Sequence, residues 1–219
     1  MNIIFDLDGT LIDSSKGILY AVELAFNSCD IEMKLPLTNE LVGPPLLQLL
    51  AMVSGSDDVE TLDRLAGEFK ECYDSQGYKE TKLYDGVTEL LQGLKRHGFE
   101  LFIATNKRMN PTQKIVQYFG WGDLFSGVYA LDACPSAKNK AEMISYVLKR
   151  HELSSSTSIY VGDTEPDRHA AEANGLPFLM VSWGYEFHVG KDDHYVDSVE
   201  ELMEYLARLA KKNISLSMV

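Results

Sequence analysis

The decapeptide NIIFDLDGTL at residues 2–11 decides how the fold can be interpreted, because an apolar run leads directly into two carboxylates and a glycine. Residues 3–5 predict a buried parallel strand, since the run is too short and too apolar for an amphipathic helix. Asp6 and Asp8 then follow the carboxyl end of that strand. Two ionised carboxylates about 4 Å apart repel by roughly 4 kcal/mol at an effective dielectric near 20, so the pair needs a cation, a shared proton or wide solvent exposure. A divalent metal is the simplest answer.

Short apolar runs alternate with helical patterns through the second half of the chain. The runs cover residues 100–104, 127–131, 158–162 and 178–181, and the helical patterns cover residues 110–119, 139–151 and 166–174. This alternation is typical of βαβ units, in which helices cover a parallel sheet. Together with the opening strand, it predicts an α/β fold with a Rossmann-like parallel sheet core of about five strands.

Residues 15–82 interrupt this alternation with helical patterns and no obvious strand. Ile18, Val22 and Phe26 share one apolar face at helical spacing, and residues 59–73 repeat that spacing. We therefore predict a core domain of residues 1–14 and 83–219, with a helical domain of residues 15–82 inserted after the first strand.

The composition limits which partners the protein can have. Its 219 residues include 33 acidic and 20 basic side chains, for a formal charge of -13, which argues against nucleic acid and anionic membranes as ligands. Cys29, Cys72 and Cys134 form no CxxC pair, so neither a disulfide framework nor a structural zinc site is indicated. With no stretch resembling a transmembrane segment or a signal peptide, we expect a cytoplasmic protein, monomeric or homodimeric.

A second apolar strand also ends in a glycine and an aspartate, at Gly162 and Asp163. The carboxyl ends of parallel strands lie at one edge of a sheet, so Asp163 can approach Asp6 and Asp8 where the strand order reverses. Several hard oxygen ligands favour Mg²⁺ over zinc or copper, and Mg²⁺ usually keeps waters that a phosphate can replace. A phosphoryl group is therefore the expected ligand.

Positive charge and hydrogen-bond donors are predicted at the same edge of the sheet. Thr105 and Asn106 follow the apolar run that ends at residue 104. Asn139 and Glu142 resemble a capping box, which places Lys140 at the first position of a helix. A lysine there faces the positive end of the helix dipole, which is unfavourable unless an anion such as phosphate lies between them.

These segments together resemble the haloacid dehalogenase superfamily of phosphohydrolases. The resemblance rests on DLDGT at residues 6–10, ATNK at residues 104–107, the lysine before AEMI at residues 141–144, and GDTEPD at residues 162–167. It covers the whole predicted sheet domain. It implies that Asp6 is the nucleophile and Asp8 the general acid and base, and that Thr105 and Lys140 bind the phosphoryl oxygens. Asn106, next to Thr105, is a further candidate for phosphate binding.

The resemblance also implies a Mg²⁺ site and a role for the inserted domain. The carboxylates of Asp6 and Asp163 and the backbone carbonyl of Asp8 would be the protein ligands, with Asp167 behind them. The inserted helices occupy the place of the family's smaller cap domain, so we expect them to close over the site and select the leaving group.

Several of these residues also have simpler explanations. Asp163 could cap the helix that begins near residue 166, and Asp167 could be an ordinary acid in its first turn. Thr105 could merely end a strand, and Lys107 is more typical of a solvated surface charge. Family members usually have proline after the phosphate-binding lysine, and this chain does not, so Lys138 is an alternative to Lys140. We favour Lys140 because of its place at the helix start.

The activity expected from these residues is Mg²⁺-dependent hydrolysis of a small phosphorylated metabolite through an aspartyl phosphate, as in phosphoglycolate phosphatase. The alternatives are a sugar phosphomutase, a nucleotidase or pyrophosphatase, and a non-catalytic module that binds a phosphorylated metabolite. Dehalogenases lack an acid two residues after the nucleophile, so Asp8 argues against carbon–halogen chemistry.

Overall fold

The computed structural model describes residues 1–185 and 194–216, with side chains described as far as residue 209. Its strands are β1 (Asn2–Phe5), β2 (Ile12–Asp13), β3 (Lys82–Leu83), β4 (Glu100–Thr105), β5 (Gly127–Ala130), β6 (Ser158–Gly162), β7 (Phe178–Val181) and β8 (Tyr195–Val196). Its helices are α1 (Ser15–Cys29), α2 (Leu46–Ser54), α3 (Val59–Ser75), α4 (Val87–Arg96), α5 (Met109–Tyr118), α6 (Lys140–Arg150), α7 (Glu165–Glu172) and α8 (Val199–Leu216). Short 3₁₀ turns cover Asn39–Leu41, Gly77–Glu80, Leu131–Ala133 and Ser155–Thr157.

Six of the strands form one parallel sheet in the order β5-β4-β1-β6-β7-β8. In β1, Ile4 is in register with Phe102 on one side and with Tyr160 on the other. The predicted α/β fold with a Rossmann-like sheet core is therefore confirmed. The sheet has one strand more than expected, because β8 has only two residues and leaves no periodic pattern in the sequence.

The position of β1 fixes where a ligand can bind. The chain adds β4 and β5 on one side of β1 and then crosses to add β6, β7 and β8 on the other side. Ligands of open α/β sheets bind beyond the carboxyl ends of the strands, at the point where the strand order reverses. Residues that follow β1, β4 and β6 are therefore the candidates for a site.

The apolar core at the six-stranded sheet is centred on its middle strands, β4, β1 and β6. Residues 3–5 of β1 are fully buried. Ile4 belongs to a cluster with Phe102 and Tyr160 of the neighbouring strands and with the apolar face of α6, which includes Ile144. Each aliphatic side chain fully buried in this way contributes about 1.5–3 kcal/mol to folding, so the strand ends that carry the candidate residues have a rigid base.

The chain divides into two compact units, of residues 1–12 with 83–219 and of residues 13–82. The smaller unit contains α1, α2 and α3 around its own apolar core, in which the rings of Phe69 and Tyr73 stack at 5.5 Å. β2 and β3 pair as a separate two-stranded sheet where the chain passes from one unit to the other. Among the described residues, no helix combines the length and apolar character needed to cross a bilayer.

Candidate active site

Asp6 lies directly beyond β1, where its backbone still belongs to the sheet. Its N–H donates to the carbonyl of Val161 at 2.9 Å, which extends the pairing of β1 with β6 by one residue. The side chain is buried, with 6% of the residue exposed, and its Oδ1 accepts a hydrogen bond from Lys140 Nζ at 2.9 Å. The sheet therefore fixes the backbone of Asp6, and its carboxylate contacts a lysine.

Lys140 reaches the site because α6 begins at this residue. The Asn139 side chain caps the helix by accepting from the N–H of Glu142 at 2.9 Å. Glu142 Oε2 accepts from the N–H of Lys138 at 2.7 Å, which places the second bond of the expected capping box one residue earlier than predicted. Lys140 is buried and contacts both Asp6 and Asp167, whereas Lys138 is exposed.

Asp163 is fully buried beyond β6 and lies in a space that two glycines leave open. A Cβ at Gly9 would lie 2.1 Å from Asp163 Oδ2, and a Cβ at Gly184 would lie 2.2 Å from Asp163 Cβ. Gly9 also has a φ of +79°, a backbone angle that residues with a side chain rarely adopt. Thr10 Oγ1 donates to Asp163 Oδ1 at 3.2 Å, and the N–H of Tyr185 donates to Oδ2 at 2.9 Å.

Asp167 takes part in the cap of α7 and also contacts Lys140, whereas its place behind a metal stays a prediction. Its Oδ2 accepts from the N–H and the hydroxyl of Thr164, at 3.2 and 2.7 Å, and Thr164 Oγ1 accepts from the N–H of Asp167, so the two residues form a capping box for α7. Asp167 Oδ1 meanwhile accepts from Lys140 Nζ. The residue that caps α7 is therefore Thr164, and the alternative role of Asp163 as a helix cap is wrong.

Asp6, Asp163 and Asp167 form a buried acidic triad that fits a divalent cation. One oxygen from each lies within 4.8 Å of the others. Burial, together with the charge of Asp167, raises the pKa of Asp6 to about 7 although Lys140 lowers it. Burial and the charges of Asp6 and Asp167 raise the pKa of Asp163 to about 8. One ammonium cannot balance three carboxylates, and hard oxygen donors suit a hard cation.

The side chain of Asp8 is not in this triad. Its carboxylate pairs with Lys107, whose Nζ lies 2.9 Å from Oδ1 and 3.3 Å from Oδ2. The Lys107 side chain is only 7% exposed, so the interpretation of Lys107 as a solvated surface charge is wrong. The resemblance implies that the backbone carbonyl of Asp8 is a metal ligand, and this stays a prediction.

Thr105 and Asn106 differ in burial. Thr105 ends β4 and is 1% exposed, and its Oγ1 accepts from the N–H of Lys107 at 3.2 Å. Asn106 is exposed. Thr105 is the last residue of β4 and Asn106 follows it, at the sheet edge where Asp6 follows β1. The assignment of both to phosphate binding stays a prediction.

Tyr160 is a part of the site that the sequence analysis missed. Its side chain is fully buried, and its hydroxyl donates to the carbonyl of Ala104 at 2.9 Å and lies 3.4 Å from Asp167 Oδ1. It thus links the end of β4 to the start of α7. A tyrosine inside an otherwise apolar strand was the available signal, because a buried hydroxyl needs a partner.

Metal-free protein should lose stability as the pH rises from about 4 to about 8. The pKa values of Asp6 and Asp163 are about 7 and about 8 in the folded state, against roughly 3.9 in an unfolded chain. The folded state therefore binds more protons in this interval. The contribution of these two groups to the free energy of unfolding is complete below their pKa in the unfolded chain. It is lost as the pH rises through their pKa in the folded state, by at most about 1.4 kcal/mol per pH unit for each group.

Urea unfolding in EDTA at several pH values measures this effect. Asp163→Asn should make the decline shallower, whereas Asp57→Asn, at an exposed position in the other unit, should leave it unchanged. If wild type and Asp163→Asn show the same dependence on pH, Asp163 does not carry the shift.

Known proteins resemble this chain over nearly its whole length. A 5'-nucleotidase from Pseudomonas aeruginosa is 29% identical over 210 residues, which cover 94% of this chain and 95% of the relative. A phosphoglycolate phosphatase from Psychrobacter arcticus is 28% identical over 215 residues, with 94% and 92% covered. The solved structure of a predicted phosphatase from Clostridium acetobutylicum superposes with a TM-score of 0.81 at 31% identity, covering 94% of this chain and 98% of that chain.

The family itself follows from a match to most of the chain. The model of the haloacid dehalogenase-like hydrolases matches residues 3–181, a range that begins in β1 and ends with β7. All the motifs on which the resemblance rested lie within that range. The resemblance is confirmed, and the chain belongs to the haloacid dehalogenase-like hydrolase family.

Proposed function

We propose that this protein is a Mg²⁺-dependent phosphomonoester hydrolase that acts on a small phosphorylated metabolite. The observation that carries the proposal is the buried contact between Lys140 Nζ and Asp6 Oδ1, 2.9 Å long, beside two further carboxylates at the carboxyl edge of the sheet. A nucleophilic carboxylate and a cation for the phosphoryl oxygens are thus held side by side. The phosphatases and nucleotidase to which the chain is similar support the same activity.

The first half-reaction transfers the phosphoryl group to Asp6. A carboxylate oxygen of Asp6 attacks phosphorus in line and forms a phosphorus–oxygen bond, while the ester bond to the leaving oxygen breaks and its electron pair goes to that oxygen. Asp8 in its acid form supplies the proton, so the alcohol leaves neutral and Asp8 becomes a carboxylate. Asp6 then carries an acyl phosphate.

The second half-reaction restores both aspartates. Water attacks the phosphorus of the acyl phosphate, and Asp8 takes the proton of the attacking water. The bond to Asp6 breaks and leaves a free carboxylate, with inorganic phosphate as the product. Asp8 is again in its acid form, so the net reaction adds one water to the ester.

Lys140, Thr105 and Asn106 would hold the phosphoryl oxygens during both steps. Lys140 lies at the first position of α6, where its ammonium and the helix N-terminus both attract an anion. The equatorial oxygens of the phosphoryl group stay in nearly the same place in both steps, so one set of donors can stabilise both transition states. Asp167 Oδ1 accepts from Lys140 Nζ and lies 3.4 Å from the Tyr160 hydroxyl, so the Lys140 side chain is held through Asp167.

The metal site proposed here uses Asp6, Asp163 and the backbone carbonyl of Asp8. We place Asp167 behind the metal ligands, as the resemblance implies, where its Oδ1 contacts Lys140 and its Oδ2 belongs to the capping box of α7. A bound Mg²⁺ would neutralise charge on the carboxylates and on the phosphoryl group. The oxygen-only donor set supports Mg²⁺ over softer metals.

We assign the choice of substrate to the unit of residues 13–82, as a cap domain of the family's smaller type. The relatives named as phosphoglycolate phosphatase and 5'-nucleotidase define the first metabolites to test. The formal charge of -13 disfavours nucleic acid and anionic membranes as partners. Three free thiols, at Cys29, Cys72 and Cys134, suit the reducing cytoplasm.

Replacing the nucleophile should abolish turnover. Asp6→Asn keeps the size of the side chain but removes the attacking carboxylate, so release of phosphate should fall by at least about 10³-fold. The assay is phosphate release in saturating Mg²⁺, with thermal unfolding to show that the variant is folded. Asp57→Asn is the matched control. Full activity of Asp6→Asn would contradict the assignment.

The two candidate lysines should respond differently to substitution. Lys140→Met removes a buried cation from two carboxylates and from the phosphoryl group, and we expect a loss of kcat/KM of about 10²-fold or more. Lys138→Met changes an exposed side chain and should stay within about twofold of wild type. The same kinetic assay decides the matter, and a larger effect of Lys138→Met would reverse our choice.

A panel of phosphate esters tests the substrate class and separates the alternatives. With Mg²⁺, phosphoglycolate or a nucleoside monophosphate should yield free phosphate, and EDTA should stop the reaction. Conversion of a hexose 1-phosphate into its isomer would indicate a phosphomutase, and phosphate release from pyrophosphate a pyrophosphatase. Thermal stabilisation by these compounds without any turnover would indicate a binding module and contradict the proposal.

A further inference from the structure

Lys107 is buried against the residue that would move the protons. Its side chain is 7% exposed, and the Asp8 side chain that it contacts is 23% exposed. Lysine is seldom buried to this extent unless it is paired, because removing an ammonium from water and fixing its long side chain both cost free energy. A position 99 residues away in sequence thus supplies a cation directly to Asp8.

Local backbone structure directs Lys107 towards this position. The N–H of Lys107 donates to Thr105 Oγ1 at 3.2 Å, so the chain turns tightly after β4. β4 pairs in parallel with β1, with Ile103 opposite Phe5. Lys107 and Asp8 therefore leave the same edge of the sheet from neighbouring strands, where a lysine is long enough to reach across.

The geometry of the contact suits orientation of a carboxylate. Nζ lies 2.9 Å from one Asp8 oxygen and 3.3 Å from the other, so the ammonium faces both oxygens. Such a contact restricts rotation of the short Asp8 side chain, which is 23% exposed. Proton transfer depends strongly on such alignment, and a displacement of about 1 Å can cost 10²-fold in rate.

We propose that Lys107 is a positioning residue that holds the Asp8 carboxyl group in line with the leaving oxygen. The inference rests on the proposed function, because Asp8 must be the group that protonates the alcohol. Lys107 itself transfers no proton. Its side chain instead limits Asp8 to the orientation in which proton transfer occurs.

The dependence on the leaving group tests this role. In Lys107→Met, kcat/KM for an alkyl phosphate should fall by about 10²-fold, because its leaving group needs a well-aligned proton donor. For para-nitrophenyl phosphate, kcat/KM should fall by less than about threefold, because a nitrophenolate departs without a proton. kcat/KM is the proper quantity, since it reports steps up to transfer of the phosphoryl group.

A double-mutant cycle with Asp8→Asn gives an independent readout. If Lys107 acts through Asp8, the variant with both Asp8→Asn and Lys107→Met should hydrolyse the alkyl ester no more slowly than Asp8→Asn alone. Lys149→Met is the control for loss of a lysine, because Lys149 is exposed on α6. Lys107→Gln, which keeps a hydrogen-bond donor, should show the same pattern with a smaller loss and replaces Lys107→Met if that variant does not fold.

Equal losses on both esters would overturn the proposal, since a structural defect or a lost contact to the phosphoryl group affects every substrate. Additive losses in the cycle would overturn it as well. An increase confined to KM for esters with an anionic organic part would show that Lys107 binds substrate instead. Absence of turnover in wild type would contradict the phosphatase proposal itself, which distinguishes the two failures.

Discussion

The Lys140 ammonium, held between the carboxylates of Asp6 and Asp167, is the interaction on which the site depends. All three side chains are buried, and moving an unpaired charge out of water costs several kcal/mol. Asp163 adds a third carboxylate to the same space, and burial, together with the charges of the neighbouring carboxylates, raises the pKa values of Asp6 and Asp163. A bound divalent cation would stabilise these carboxylates in their charged form.

The sheet makes this concentration of charge possible. β1 is between β4 and β6, so the residues that follow these strands come together without any long loop. Gly9 and Gly184 give Asp163 room, and the cap of α6 fixes where Lys140 starts. The residues proposed to be catalytic thus lie at or next to the ends of strands and helices, which restricts their movement.

The sequence predicted the elements and residues that have a local signature. Apolar runs ending in Gly and Asp predicted β1 and β6, and a helix start predicted the place of Lys140. Features decided by contacts across the fold were missed. Nothing near Lys107 in the sequence shows that its side chain is buried against Asp8. The hydrogen bond from the N–H of Tyr185 to Asp163 leaves no signature either, because every residue except proline has a backbone N–H. The two-residue β8 was too short to leave a periodic pattern.

A crystal structure with Mg²⁺ and beryllium fluoride, a phosphoryl analogue, would show whether Asp6 receives the phosphoryl group beside a metal. Beryllium should be bonded to a carboxylate oxygen of Asp6, with a fluoride near Lys140. Mg²⁺ should lie about 2.0–2.1 Å from oxygens of Asp6 and Asp163. Beryllium fluoride bound at another residue, or Mg²⁺ bound away from the acidic triad, would contradict the proposed mechanism.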